Sequence, residues 1–512
     1  MLIKSFGSAV FGIDATTIII ETNIDRGINF HLVGLPDNAV KESQHRISAA
    51  LKNIGYRWPG FKITINLAPA DIRKEGSAYD LPIALGILSA SEQAELFGLD
   101  KYIIIGELSL DGGLQPVKGA LPIALQAKEE GFKGVILPEQ NAKEAGIVEG
   151  LDVHGAQNLS EVIDFLKQEK DLSITRVNVK KEFADKIENP LFDFAEVKGQ
   201  ENVKRALEIA AAGGHNVVLI GPPGGGKTML AKRMPTILPP LSLNEALETT
   251  KIHSVAGKLS EKQSLISERP FRSPHHSISD VALVGGGNVP QPGEISLAHN
   301  GILFLDELPE FKRAVLEVLR QPMEERRVTI SRARFTVDYP ASFMLVASMN
   351  PCPCGYFNHP QKDCVCSPGV VQKYLNKISG PLMDRIDLHV EVTPVSFDQM
   401  TQGLANERSK DIRKRVVEAR ERQVTRFAEV ENVHCNALMI PRQMRQFCRI
   451  DKAAQELLRQ AIDRLNLSGR AYDRILKVGR TIADLDGEEN ISASHIAEAV
   501  QYRSLDREAW LA

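Results

Sequence analysis

The sequence predicts a multidomain α/β protein: an α/β domain, then a P-loop α/β core with a parallel sheet, then an all-α region. Three observations predict it. At 512 residues the chain exceeds what one hydrophobic core usually serves. The string GPPGGGKT at 221–228 directly follows a strand-like run and opens a helix-like one. Beyond residue 396 strand-like runs cease and only helical spacing continues.

The expected boundaries are 1–168 for the first domain, 169–193 for a linker, 194–395 for the core and 396–512 for the helical region. In the first domain, 63–67 and 102–105 read as strands, while 40–53 and 119–131 space their apolar residues as helices do. The stretch 169–186 is rich in charge and poor in periodicity, which suits a linker. In the last region 404–427 and everything after 441 read as helical.

Net charge is −3, so any nucleic-acid partner needs a local basic surface rather than a basic chain. No apolar run reaches the roughly 18 residues of a membrane span. Gly and Asp break the first 14 residues where a signal peptide needs an apolar core. No membrane partner and a cytoplasmic location are therefore expected. Six cysteines in so long a chain are too sparse for a secreted disulfide scaffold.

The nucleotide motif carries the most chemistry. Gly221, Pro222, Pro223, Gly224, Gly225 and Gly226 let backbone N–H groups turn inward around ATP phosphates, at the start of a helix. Lys227 is placed to reach the β- and γ-phosphates and Thr228 to ligate Mg²⁺. A second strand at 301–305 ends in Asp306 and Glu307, and two carboxylates after an apolar run belong at a strand's end facing a ligand. Asp306 then holds Mg²⁺ through water, and Glu307 polarises the attacking water. A third strand at 342–347 leads to Asn350, which either orients that water or caps a turn.

Cys352, Cys354, Cys364 and Cys366 form two C-x-C pairs separated by nine residues. In a reducing compartment four close thiols favour tetrahedral Zn²⁺ over disulfides; the competing reading is free, partly buried thiols. Cys435 and Cys448 have no partner in sequence. The run 325–339, ERRVTISRARFTVDY, alternates as a β-hairpin with Arg326, Arg327, Arg332 and Arg334 available to phosphates, or simply solvated. The arginines of 408–426 either line a DNA path or form ion pairs on a helix face. His275 and His276 read as loop residues.

The order of P-loop, Asp-Glu strand, Asn-ended strand and helical region resembles an AAA+ ATPase. The strings FRSPHHSIS (271–279), GGGNVPQPGEISLAHNGILFLDELPEF (285–311), NPCPCGY (350–356), LMDRIDLHVEV (382–392) and SGRAYDRILKVGRTIADLDG (468–487) narrow this to the magnesium-chelatase-like branch, specifically the bacterial ComM/YifB family. GLPDNAVKESQHRI (34–47) and TINLAPADIRKEGSAYDLPIALGILSA (64–90) are similar to the same family, so the resemblance covers essentially the whole chain.

The resemblance implies a trans-acting arginine finger at Arg385, although its flanking Asp384 and Asp387 read equally well as local ion-pair partners. It places sensor 2 at Arg470, with Arg474 as a second possibility one turn later, and the 325–339 hairpin in a ring's central pore. It implies a hexameric homo-oligomer, an all-α lid and a Lon-protease-like N-terminal domain. There Ala78 takes the nucleophilic serine's position and Leu121 the lysine's, with Ser77 and Lys118 nearby, so protease activity is not expected. The function implied is an ATP-driven motor on single-stranded or branched DNA, a helicase driving branch migration in homologous recombination during natural transformation. A magnesium chelatase-type subunit is the alternative; porphyrin chelatase motors lack this N-terminal domain and the four-cysteine loop. A protein unfoldase fits less well, because glycines follow Val281 where an aromatic pore residue is required.

Overall fold

The structure is a computed structural model describing residues 2–179, 192–260, 263–287, 290–332, 335–359, 361–395, 406–431, 433–465 and 467–503. The chain divides into two compact units, Met1–Asp185 with Leu243–Ile266, and Lys186–Ser242 with Ser267–Ala512.

The first unit is built on a seven-stranded mixed sheet among the described residues. Its order is Phe30–Val33, Lys62–Ala68, Asp14–Asp25, Leu2–Phe11, Tyr102–Ile104, Gly134–Pro138, Asp152–Ala156. Leu2–Phe11 and Asp14–Asp25 form a hairpin through a two-residue turn, where Gly12 takes φ 66° at no steric cost. Helix Asp80–Ala90 is apolar on nearly every side and is buried accordingly. Its one carboxylate, Asp80, is fully buried and bound bidentately by Arg46, at 2.6 Å from Nε and 2.9 Å from Nη2. Burial pushes the Asp80 carboxyl up, and Arg46 opposes that.

By sequence order 243–266 lies within the expected 194–395 core, yet it belongs to this unit. The reason is a buried acid. Glu144 accepts hydrogen bonds from Leu121 N at 2.8 Å and from Ser254 Oγ of helix Leu243–Val255. The Ser254 carbonyl accepts from Gly119 N at 3.3 Å. An acid this buried requires those donors.

The second unit carries a five-stranded sheet among the described residues, ordered Phe271–Arg272, Ile302–Leu305, Met344–Met349, Val217–Ile220, Leu388–Glu391. Every pairing is parallel. The four longer strands are almost entirely buried, as strands covered on both faces must be. Val217–Ile220 comes first in sequence but pairs with the fourth and fifth strands, which makes a switch point where ligand crevices form at the carboxyl ends.

Past residue 406 the described elements are helices, the longest being Ser409–Arg426, Lys452–Leu465 and Gly469–Asp486. Their apolar faces (Ile412, Val416, Ile475, Ile482) join one core with Val217, Val346 and Leu388 of the sheet. The arginines of Ser409–Arg426 turn inward. Arg420 donates to the carbonyls of Ala212 and Ala211 at 3.0 and 2.9 Å, closing the end of helix Glu201–Gly213. Arg413 donates to Thr236 O at 2.7 Å, Arg415 meets Glu208 and Glu407, and Arg426 meets Asp484 and Asn436. These contacts of four arginines are helix caps and ion pairs, which favours the ion-pair reading of 408–426 for those four.

At the amino ends of the strands Asn216 is a fully used junction. Its N–H donates to Asp387 Oδ2, its Nδ2 to Arg385 O, and its Oδ1 accepts from Leu345 N. Asp387 is buried with His215 at 3.6 Å and Arg474 at 3.0 Å. Burial raises its carboxyl, but Arg474 and His215 outweigh this and hold it well below the usual range. Burial lowers the His215 and His389 imidazoles.

Two outcomes follow from these buried charges. Arg46→Ala strands Asp80 without its partner and should cost about 3–5 kcal/mol, read as a lower urea midpoint of Trp58 fluorescence in a Trp510→Phe background. In the second unit, two histidines whose folded pKa lies below the unfolded value contribute stability that is complete above about pH 6.5 and lost as pH falls. The opening free energy of amides in Val217–Ile220, from hydrogen exchange corrected for its intrinsic pH dependence, should fall by about 1–2 kcal/mol between pH 7.5 and 5.5. A flat profile would contradict this.

Candidate nucleotide site and cysteine cluster

The loop 221–226 joins strand Val217–Ile220 to helix Lys227–Arg233. A Cβ on Gly221 would lie 2.3 Å from the Val392 carbonyl oxygen, so only glycine fits beneath the last strand. Gly224 and Gly226 take φ 78° and 85°, the left-handed turn that brings the loop around. Lys227 Nζ donates to the carbonyls of Gly221 and Pro222 at 2.7 and 2.9 Å and to Asn350 Oδ1 at 3.1 Å. Burial lowers the Lys227 ammonium, and Asp306 and Glu307 oppose the shift. An ammonium held by two carbonyls and an amide, none of them charged, is poised for an anionic partner.

Register brings the carboxylates to the same place. Leu305 pairs with Ala347 and Ile220 with Met349, so Asp306, Asn350 and Gly221 all leave the sheet on its carboxyl edge. Thr228 Oγ1 donates to Asp306 Oδ2 at 2.8 Å, while Ser348 Oγ and Glu307 N donate to Oδ1. Asp306 is thus aimed at the threonine, and its hydrogen bonds come from two hydroxyls and a backbone N–H; a hydroxyl and a carboxylate in contact are a fitting donor set for Mg²⁺. Glu307 sits at φ 55°, ψ 50°, a left-handed backbone rare outside glycine that functional sites tolerate. Its carboxylate is largely exposed, 3.6 Å from His276 Nδ1.

The structure brings Lys227, Thr228, Asp306 and Asn350 together with 221–226, and Glu307 beside them. It separates Arg385 and Arg470 from them. Arg385 precedes strand Leu388–Glu391, whose Leu388 is in register with Val217, and therefore lies at the amino edge of the sheet. It donates to Pro381 O at 2.6 Å and pairs with Glu324 at 2.5 Å. Arg470 is exposed and pairs with Asp384 at 3.1 Å. Arg474 is committed to the buried Asp387.

The hairpin forms from Arg327–Arg332 and Phe335–Pro340. Its four arginines are not equivalent. Arg326 is at the base, with Nη1 donating to Phe343 O at 2.7 Å and its guanidinium lowered by burial, so it is turned into the protein rather than presented to phosphates. Arg327 is exposed beside Glu325. Arg334 and the side chain of Arg332 lie outside the described residues. In the N-terminal unit Ser77 Oγ donates to Glu107, and Leu121 is fully buried.

Cys352, Cys354, Cys364 and Cys366 converge, with all four sulfurs within 4.8 Å of one another. Three of the separations are 3.3, 3.7 and 3.6 Å. Zn–S bonds of about 2.3 Å in a tetrahedron place sulfurs about 3.8 Å apart, so the set fits such an ion. Burial pushes the Cys354 thiol up, but N–H groups of Tyr356 and Val365 and the neighbouring thiols bring it down to about 6.

The sequence marked neither Ser348 nor Asn216, and it placed His276 in a loop with no role. A hydroxyl two residues before Asn350 was a usable signal for Ser348. Asn216 and His276 act through contacts with strands and acids distant in sequence, and no local pattern marks them.

A P-loop on an inner strand of a parallel sheet, beside an Asp-Glu strand end, is the site of a P-loop nucleotide-binding protein of AAA+ type. Family comparisons agree: residues 193–400 match magnesium chelatase, subunit ChlI; 20–141 match subunit ChlI of Mg-chelatase; and 406–503 match the ChlI C-terminal family. The chain is 45% identical over 504 residues to YifB of Escherichia coli strain K12, covering 98% of this chain and 96% of the relative. It is 43% identical over 505 residues to competence protein ComM of Haemophilus influenzae, covering 98% and 97%. Lon protease 2 of Bacillus subtilis is 30% identical over 157 residues, 28% of this chain and 27% of the relative. The chain belongs to the ComM/YifB family of magnesium-chelatase-like proteins, a membership that implies use of ATP and Mg²⁺.

Ser348→Ala removes one donor to Asp306. Hydrogen bonds to charged groups contribute about 1.5–3 kcal/mol, so ATP turnover should fall roughly 10- to 100-fold with nucleotide affinity changed far less, as measured by steady-state hydrolysis and fluorescent-nucleotide titration.

Proposed function

We propose that the protein is an ATP-hydrolysing motor that works as a ring of identical subunits, a hexamer, and moves branched or single-stranded DNA. The observation that carries the ring is the placement of Arg385. Four strand residues, about 13 Å, separate it from its own P-loop, so it serves a nucleotide held by a neighbour. Arg470, beside Asp384 on the same edge, faces that neighbour too.

In this reading Lys227 leaves its carbonyl partners for the β- and γ-phosphates. Thr228 and Asp306 hold Mg²⁺, which when bound neutralises charge on the phosphates. Glu307 orients the attacking water and takes up its proton, with Asn350 holding the water's other side. Arg385 of the adjacent copy stabilises charge on the transferring phosphoryl.

The DNA assignment rests on kinship with competence protein ComM and on the exposed Arg327 of the hairpin, which points to branch migration in recombination during natural transformation. The N-terminal unit is then a Lon-protease-like module without a serine–lysine pair, since Ala78 and Leu121 stand at those positions, and the helices after 406 form the lid. The four cysteines hold a structural Zn²⁺. Among the described residues no helix is long and apolar enough to cross a membrane; the proposed setting is the cytoplasm.

A labelled four-way junction tests the motor. Conversion to duplex products should require ATP, fail with a non-hydrolysable analogue, and fall at least 100-fold in Lys227→Ala and Glu307→Gln, an order expected for groups acting on the transferring phosphoryl. If DNA neither moves nor stimulates hydrolysis at low salt, the ATPase reading stands and the DNA reading does not; a porphyrin or protein substrate would then be sought.

A further inference from the structure

The stretch 352–366 has little apolar material of its own. Cys352 is its one fully buried hydrophobic side chain among the described residues, and Val365, between two of the cysteines, is 85% exposed. Beyond the contacts of Tyr356 with His359 and Lys362, the four converging sulfurs are the feature that can fix such a loop, through bonds to a metal. Yet it is pressed against the nucleotide site at two points.

The first point is Gly355. It takes φ 84°, and a Cβ there would lie 2.5 Å from Cδ of Pro223 in the P-loop. Backbone of the cysteine loop and ring of the P-loop proline are therefore in direct contact. The second is Asn350, two residues before Cys352. Its side chain accepts from Lys227 Nζ at 3.1 Å, and its backbone N–H donates to the hydroxyl oxygen of the buried Tyr374. Tyr374 belongs to helix Pro368–Leu375, which starts two residues after Cys366. The chain thus leaves the nucleotide site at Asn350, forms the four-sulfur cluster, and returns to Asn350 within one short segment.

We propose that the four-cysteine site and the nucleotide site are one linked unit: a thiolate-bound Zn²⁺ sets the positions of Pro223 and Asn350, and bound nucleotide in turn retains the metal. The inference rests on the zinc reading above. Linkage is reciprocal, because any free energy by which metal favours nucleotide is the free energy by which nucleotide favours metal. Loss of the ion to a chelator then weakens ATP binding with no change to the P-loop residues themselves.

The test uses the full-length protein. Zinc content is measured first, and then the rate of zinc transfer to a chromogenic chelator, with and without Mg²⁺ and a non-hydrolysable ATP analogue. One zinc per chain is expected, released about five-fold or more slowly with the analogue present. Gly355→Ala, which keeps all four thiols, should retain the zinc, bind the analogue at least about five-fold more weakly and lose most of the difference in release rate. Protein purified without zinc overturns the metal reading and the linkage with it. Zinc that leaves equally fast in both conditions overturns the linkage alone. A Gly355→Ala protein with wild-type affinity and wild-type protection overturns the Gly355–Pro223 contact as the route.

Discussion

Asn216 ties three strands of the second unit together at their amino ends, with its backbone N–H on Asp387, its amide nitrogen on Arg385 O and its amide oxygen on Leu345 N. Because those strands are parallel, aligning their amino ends also aligns their carboxyl ends. Ile220 then pairs with both Met349 and Glu391. Loop 221–226, Asp306 and Asn350 converge only because that register holds. A slip of one residue would turn every strand side chain to the other face and carry Asn350 away from Lys227.

The same junction separates two kinds of arginine. On the carboxyl edge the site collects acids, a lysine and hydroxyls suited to a phosphate and a hard cation. On the amino edge it collects Arg385, Arg474 and the buried Asp387. Arg474 is committed to stability, since removing one partner of a buried pair leaves the other charge unsatisfied. Arg385, itself buried, is held by an exposed carboxylate, Glu324. The sheet's polarity thus puts these two arginines at the end opposite the nucleotide motif.

Around this frame the chain places groups whose sequence neighbourhoods give little hint of their use. Helix Leu243–Val255 satisfies a buried glutamate in the N-terminal unit. The arginines of Ser409–Arg426 close a helix end and neutralise Asp484 and Glu208. The cysteine loop rests on the P-loop proline through a glycine that admits no side chain. In each case a buried charge, an open carbonyl or a close backbone approach selected the contact.

The sequence by itself determined the nucleotide chemistry. GPPGGGKT after an apolar strand, an Asp-Glu pair after a second and an Asn after a third are local patterns, and burial with hydrogen bonding leaves them one arrangement. It also placed the four thiols within 15 residues of chain, where the fold collects their sulfurs. Only the tertiary structure decided that 243–266 joins the first unit, that Arg326 turns inward, that Arg385 lies an entire strand from its own P-loop, and that Gly355 touches Pro223. Those outcomes depend on contacts between residues far apart in sequence, and such contacts are settled by burial and register rather than by any local spacing.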